Sequence, residues 1–184
     1  MLQTLLTGIE MKKILLAMTV ASLCMANSVQ AQDNSATLDI NGTVNGISSG
    51  CIVNITGLYG HTGVVKLEGV IESLPTQGQK ATHPTEVTYS VGGCSSPIAL
   101  QLRGTADDAD GTTLANVHTD DTVASGVGIG LFDSNNAPLS INSSLMTLDE
   151  SNSGSFSLQL VKLRNQTQVV GSVAASLTID IVRL

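Results

Sequence analysis

Val173-Ala174-Ala175-Ser176-Leu177-Thr178-Ile179-Asp180-Ile181 is the stretch that decides the fold. Val173, Ala175, Leu177, Ile179 and Ile181 recur with a period of two, and Ala174, Ser176, Thr178 and Asp180 fill the alternate positions. Successive side chains of a strand point to opposite faces, so the pattern predicts one long strand with an apolar and a more polar face. Shorter runs upstream alternate in the same way: Val87, Tyr89, Val91; Ile98, Leu100, Leu102; Val127, Ile129, Leu131; Phe156, Leu158, Leu160. Turn clusters separate them, such as Asp107-Asp108-Ala109-Asp110-Gly111 and Asp133-Ser134-Asn135-Asn136-Ala137-Pro138. No run carries a helical period for more than a turn or two. Seven or eight short strands at this spacing predict a single all-β domain, a sandwich or a barrel.

Composition agrees with that reading and excludes several functions. Charged residues are 12% of the 184, about half the usual share, while hydrophobic residues reach 42%, so the chain can bury a core. With aromatics at 2% and no Trp, the core must be filled by aliphatic side chains, and the β-branched ones favour strands. The net charge of −7 argues against nucleic acid as a partner, because a phosphate backbone calls for a basic face. It argues equally against a polybasic membrane-surface protein.

Residues 1–31 are expected to lie outside the fold. Met11-Lys12-Lys13 opens a positive segment, an apolar run over residues 14–26 follows, and Val29-Gln30-Ala31 places small residues at a cleavage site. This is the pattern of a signal peptide starting at Met11 and cut after Ala31. The apolar run is short for a membrane span. A lipid anchor at Cys24 is disfavoured by Leu23, which stands where a small residue is wanted. Cleavage removes Cys24 and leaves Cys51 and Cys94. An exported chain with two cysteines most simply forms one disulfide, the alternative being two free thiols. Closing a loop of about 43 residues would contribute about 4 kcal/mol in the chain-entropy model.

Residues 32–46 stand apart from the domain that follows. Leu38, Ile40, Gly42 and Val44 share one face of a short alternating segment, with Thr37, Asp39, Asn41 and Thr43 opposite. Nothing in the sequence requires this segment to pair within its own domain.

No enzyme signature is present. His61, His83 and His118 lack metal-ligand spacing. There is no G-x-S-x-G elbow. Asp108-x-Asp110-Gly111 matches part of a calcium loop, but Ala106 and Val117 occupy its first and last ligand positions, which leaves an acidic turn. Gly126, Gly128 and Gly130 alternate within a strand pattern and suit close packing rather than phosphate binding. Asn41, Asn54, Asn142 and Asn165 head N-x-S/T sequons, to which little weight is given. The expectation is therefore a protein that is not an enzyme, with no cofactor and no metal.

In order along the chain stand a leader, Leu38-Asp39-Ile40-Asn41-Gly42-Thr43-Val44, Cys51, and Cys94 followed by Ile98-Ala99-Leu100-Gln101-Leu102-Arg103-Gly104-Thr105-Ala106. Then come Gly126-Val127-Gly128-Ile129-Gly130-Leu131-Phe132-Asp133, Pro138-Leu139, and two closing strands around Gly171. This ordered set resembles the subunits of chaperone–usher fimbriae of the type 1 pilin kind. The chain departs from the family pattern in ending Val182-Arg183-Leu184 without an aromatic, and in carrying Leu158, Leu160 and Leu163 where relatives often have Phe or Tyr.

The resemblance implies an immunoglobulin-like β-sandwich lacking its last strand and completed by donor-strand exchange. The pilin domain would span residues 47–184 and the donor extension residues 32–46. The acceptor groove would lie beside the last strand, with Val173, Ala175, Leu177, Ile179 and Ile181, and would receive Leu38, Ile40, Gly42 and Val44 of a neighbour. The implied partners are neighbouring pilin subunits, a periplasmic chaperone and an outer-membrane usher. The implied location is an extracellular fimbrium on the bacterial surface that contributes to cell adhesion. A single-domain adhesive subunit that binds a host receptor or glycan is the second reading, although the absence of Trp weakens a sugar-stacking site.

Overall fold

The computed structural model describes residues 34–42, 51–56, 62–94, 97–107, 110–148 and 150–184, with the backbone alone for residues 34–37, 39–42 and 62. The expected leader, Val44, His61 and Asp108 lie outside the described residues. The described residues form ten strands: β1 (Asn34–Gly42), β2 (Ile52–Ile55), β3 (Thr62–Gly69), β4 (Thr85–Gly92), β5 (Ile98–Gly104), β6 (Thr113–Leu114), β7 (Val127–Phe132), β8 (Leu145–Thr147), β9 (Ser153–Lys162) and β10 (Val173–Arg183). A 3-10 turn over Ile71–Ser73 follows β3 in this all-β order.

The strands make two sheets of five, ordered β3-β1-β10-β5-β8 and β2-β4-β9-β7-β6. Inward residues of both sheets join one core, including Leu38, Leu67, Leu100, Leu102, Leu177 and Ile179 from the first and Val87, Tyr89, Ile129, Leu131, Phe156 and Leu158 from the second. The alternation read in the sequence is the alternation of burial: in β4, Val87, Tyr89 and Val91 are buried between exposed neighbours. With few aromatic rings available, Phe156 takes the centre and Tyr89 packs on it at 6.3 Å between ring centroids.

The middle of the second sheet departs from simple alternation, because β7 is buried along its whole length and β9 from Phe156 through Val161. Its outer face is covered by the segment before β4. Ala81 packs there on Phe132 and Val161. The buried Gln159 side chain accepts from the Thr82 and His83 backbone N–H groups at 2.9 and 3.2 Å and donates to the Thr82 hydroxyl at 3.0 Å. The glycines of β7 belong to close packing: a Cβ on Gly128 would lie 2.8 Å from the Leu114 carbonyl oxygen of β6.

Turn chemistry also follows the sequence. Asp133 accepts from the backbone N–H groups of Asn135 and Ala137, both at 2.8 Å, and so closes the turn before Pro138. Asp110 does the same for Thr112 through its backbone N–H at 2.9 Å and its hydroxyl at 2.6 Å. Asn142 adopts φ +66° and mimics a strand partner: its side chain accepts from the Gly104 N–H at 3.1 Å and donates to the Gly104 carbonyl at 3.0 Å.

A disulfide joins Cys51 to Cys94, with Cα atoms 4.7 Å apart. Cys51 immediately precedes β2 and Cys94 follows β4, and Ile52 pairs with Gly92 beside the bond. Pro97 lies close behind, accepting a hydrogen bond from the Leu184 N–H at 3.1 Å, and Ile98 pairs with Arg183. The start of β2 and the ends of β4 and β10 therefore share one end of the sandwich, the disulfide end.

Candidate functional site

The first sheet is held together by a strand from far away in sequence. β1 lies between β3 and β10, antiparallel to β3 from Asn34↔Gly69 to Asn41↔Thr62 and parallel to β10 from Ala36↔Val173 to Gly42↔Ile179. Take β1 away and the facing edges of β3 and β10 lose their ladder partner, leaving a slot one strand wide. Unpaired edges over an apolar floor are the condition for strand addition.

The inward residues of β10 and β3 belong to the core on either side of β1. Val173, Ala175, Leu177 and Ile179 are buried along β10, and Ile181 packs half-buried against the same core. Leu67 and the partly buried Val65 face the slot from β3. Leu38 is completely buried, and the register sets it between Ala175 and Val65. Further along the register, Ile40 stands across from Leu177 on β10 and Gly63 on β3, and Gly42 across from Ile179 on β10. On the outer face of β10, Asp180 meets Arg103 of β5 at 2.7 Å, an exposed ion pair that contributes little.

The sense of β1 follows from chain reach. Only residues 43–50 separate Gly42 from Cys51, a link that spans about 30 Å at full stretch. Entering parallel to β10, β1 ends near Ile179, close to the disulfide end where Cys51 sits. Entering the other way, it would end near Val173, about 33 Å from that end at roughly 3.3 Å per residue of β10, and the link would be at its limit.

At the Val173 end, two loops close the sandwich, and sequence reasoning gave no weight to the residue that organises them. Asn116 donates to the Ala124 and Ser172 carbonyls at 3.0 and 3.1 Å, while its side-chain oxygen accepts from the Ala174 and His118 N–H groups, both at 3.0 Å. Asn116 lies in a non-strand stretch with no periodic neighbours, so no local signal marks it. Nearby, Asp120 accepts from the Thr122 hydroxyl at 2.6 Å and N–H at 2.8 Å and contacts His118 Nε2 at 2.6 Å. The Thr122 hydrogen bonds lead in holding the Asp120 carboxyl below its ordinary range, with a smaller contribution from His118.

Among the described residues, no group of three or more His, Cys, Asp or Glu side chains could hold a metal ion. Among the same residues, no helix is long and apolar enough to cross a membrane.

The fold is thus an all-β sandwich whose first sheet is completed by an N-terminal strand, with one disulfide near the start of the domain. The family model described as "Fimbrial protein" matches residues 38–182, and the chain belongs to that family. The P pilus rod subunit PapA is similar in structure, at 11% identity and a TM-score of 0.47, over 76% of this chain and 96% of that one. A Burkholderia pseudomallei antigen and type I fimbria protein is similar at 21% identity and a TM-score of 0.46, over 79% of this chain and 95% of that one. No curated protein matches the sequence. The chain is thus a chaperone–usher fimbrial subunit, a structural component of an extracellular pilus that contacts other pilin subunits, in a family that is not one of enzymes.

Proposed function

We propose that this subunit polymerises by donor-strand exchange: residues 32–46 of one chain enter the slot between β3 and β10 of the next, and the resulting fimbrium contributes to bacterial adhesion. The carrying observation is that the edges of β3 and β10 are bridged by a segment lying outside the rest of the domain in sequence. Leu38, Ile40, Gly42 and Val44 are the donor positions. Val173, Ala175, Leu177, Ile179 and Ile181 are the acceptor positions. Three aliphatic donor side chains contribute about 4.5–9 kcal/mol on full burial, at about 1.5–3 each, besides the main-chain ladder. Residues 1–31 serve as extension and signal peptide, a periplasmic chaperone protects the open slot, and an outer-membrane usher catalyses the exchange.

Exchange into a fibre requires the donor to run opposite to β1. A donor parallel to β10 would leave the slot at the acceptor's disulfide end, and its own body also begins at its disulfide end. One end would then serve both contacts, which closes a swapped pair. A donor antiparallel to β10 leaves at the Val173 end, so each subunit accepts at one end and donates from the other, the head-to-tail arrangement that grows an open filament. The self-inserted β1 is accordingly a resting arrangement that must leave before assembly. A direct test deletes residues 32–46 and co-expresses the truncated subunit with its chaperone and usher. The truncated chain should be found only where no following subunit needs a donor strand. Fibres carrying it at internal positions would overturn the reading.

A further inference from the structure

The Val173 end of the sandwich is apolar where a neighbour's body would emerge. Val117, Val123, Val169 and Val170 are 48%, 38%, 50% and 41% exposed. They ride on backbone segments tied to one another. Val117 donates to the Ala174 carbonyl at 2.8 Å, Val123 bridges Ser172, and Val169 and Ser125 exchange backbone hydrogen bonds at 3.0 and 3.3 Å. The loops are tightly fitted: a Cβ on Gly171 would collide with the Thr122 carbonyl oxygen and lie 2.6 Å from the Ala124 nitrogen. Single exposed valines are ordinary, but four on one hydrogen-bonded platform form a patch of the kind that marks an interface.

We propose that this valine-bearing end docks the body of a second copy of this chain, the copy whose N-terminal segment fills the slot, and that it receives that copy's disulfide end with Ile52 and Leu184. The proposal rests on the donor-strand reading and adds a second contact to it. Chain continuity selects the occupant. An antiparallel donor leaves the slot beside Val173, and residues 43–50 tether its Cys51 within about 30 Å of that point. The surface that arrives first is the disulfide end, where Ile52 and Leu184 are 43% and 66% exposed. The contact is heterologous, uses different surfaces on the two copies and repeats along the fibre. The link shortens the search for this contact, because a tethered surface meets its partner at high effective concentration.

The test uses the full exported chain. Val169→Asp combined with Val170→Asp changes two exposed side chains, so the melting temperature of the monomer should stay at the parent value. Fibre formation should need about tenfold more subunit or greater, since carboxylates now oppose an apolar surface that must lose water. In a second variant, Val170→Cys with Leu184→Cys, oxidation of assembled fibres should give covalent ladders. A third, Ser35→Cys with Val182→Cys, reports the donor strand alone. Ladders from the third pair, none from the second, and parent-like assembly of the Asp variant would overturn the docking surface and leave strand exchange standing. The absence of ladders from both pairs would overturn both.

Discussion

The two sheets of the sandwich are built from opposite kinds of connection. In β2-β4-β9-β7-β6 every neighbouring pair is antiparallel, and the disulfide fastens β2 to β4. In β3-β1-β10-β5-β8 the central ladder is parallel, and the strand that makes it comes from the other end of the sequence. The first kind of sheet is complete within the domain. The second depends on a segment that precedes the rest of the domain, and the proposed strand exchange rests on that dependence.

The contrast can be broken most severely by deleting residues 32–46. The remaining chain should lose cooperative melting and aggregate, and a free peptide covering residues 35–46 should restore a folded, monomeric state. A deletion variant that melts like the parent without peptide would show that β3 and β10 need no partner. Two core truncations then separate the sheets. Phe156→Ala should cost about 3–5 kcal/mol and Leu38→Ala about 2–5 kcal/mol in chemical denaturation. Added peptide with the native Leu38 should rescue only the second, because only that side chain sits on the replaceable strand. Equal rescue of both would erase the distinction.

Cys51→Ser tests the covalent fastening of the second sheet and should lower stability by about 2–4 kcal/mol. The comparison must be made under oxidising conditions, and adding reductant should bring the parent to the variant's level. The smallest effect concerns Asp120. Its carboxyl titrates lower in the folded chain than when unfolded, so its stabilising contribution is present above the unfolded value near 3.9 and fades as pH falls through the lowered folded value. Asp120→Asn should therefore destabilise slightly at neutral pH and flatten the acid side of the stability curve. An acid limb identical to the parent's would remove Asp120 from the account.

Most of the architecture is legible in periodicity. The alternations of β4, β5, β7, β9 and β10 each appear as strands where the sequence places them; burial on one face imposes period two in β4 and β10, while β7 and β9 keep the sequence alternation although both their faces are covered. The shorter β2, β6 and β8 were not singled out, since two to four residues cannot show a period. β3 escaped for another reason: Val64 is 51% exposed beside the inward Val65, and the adjacent pair hides the alternation of Val65 and Leu67. The inward positions of β10 are legible for the same reason as the strand. The partner of β10 is not, because alternation fixes which face is apolar and says nothing about which chain supplies the neighbour. Asn116 and the valine platform depend on two loops meeting across 56 residues, a tertiary event without a local signature.

The central claim is that the strand in the slot changes chain and direction on assembly. Spin labels at residues 35 and 182 test it most directly. In the monomer Ser35 is one step beyond the Ala36↔Val173 pair, so the labels should sit about 33 Å apart at roughly 3.3 Å per residue. In fibres the account predicts a new short inter-chain distance, between labels on backbones about 5 Å apart as in adjacent strands. Fibres that retain only the long intra-chain distance would contradict it.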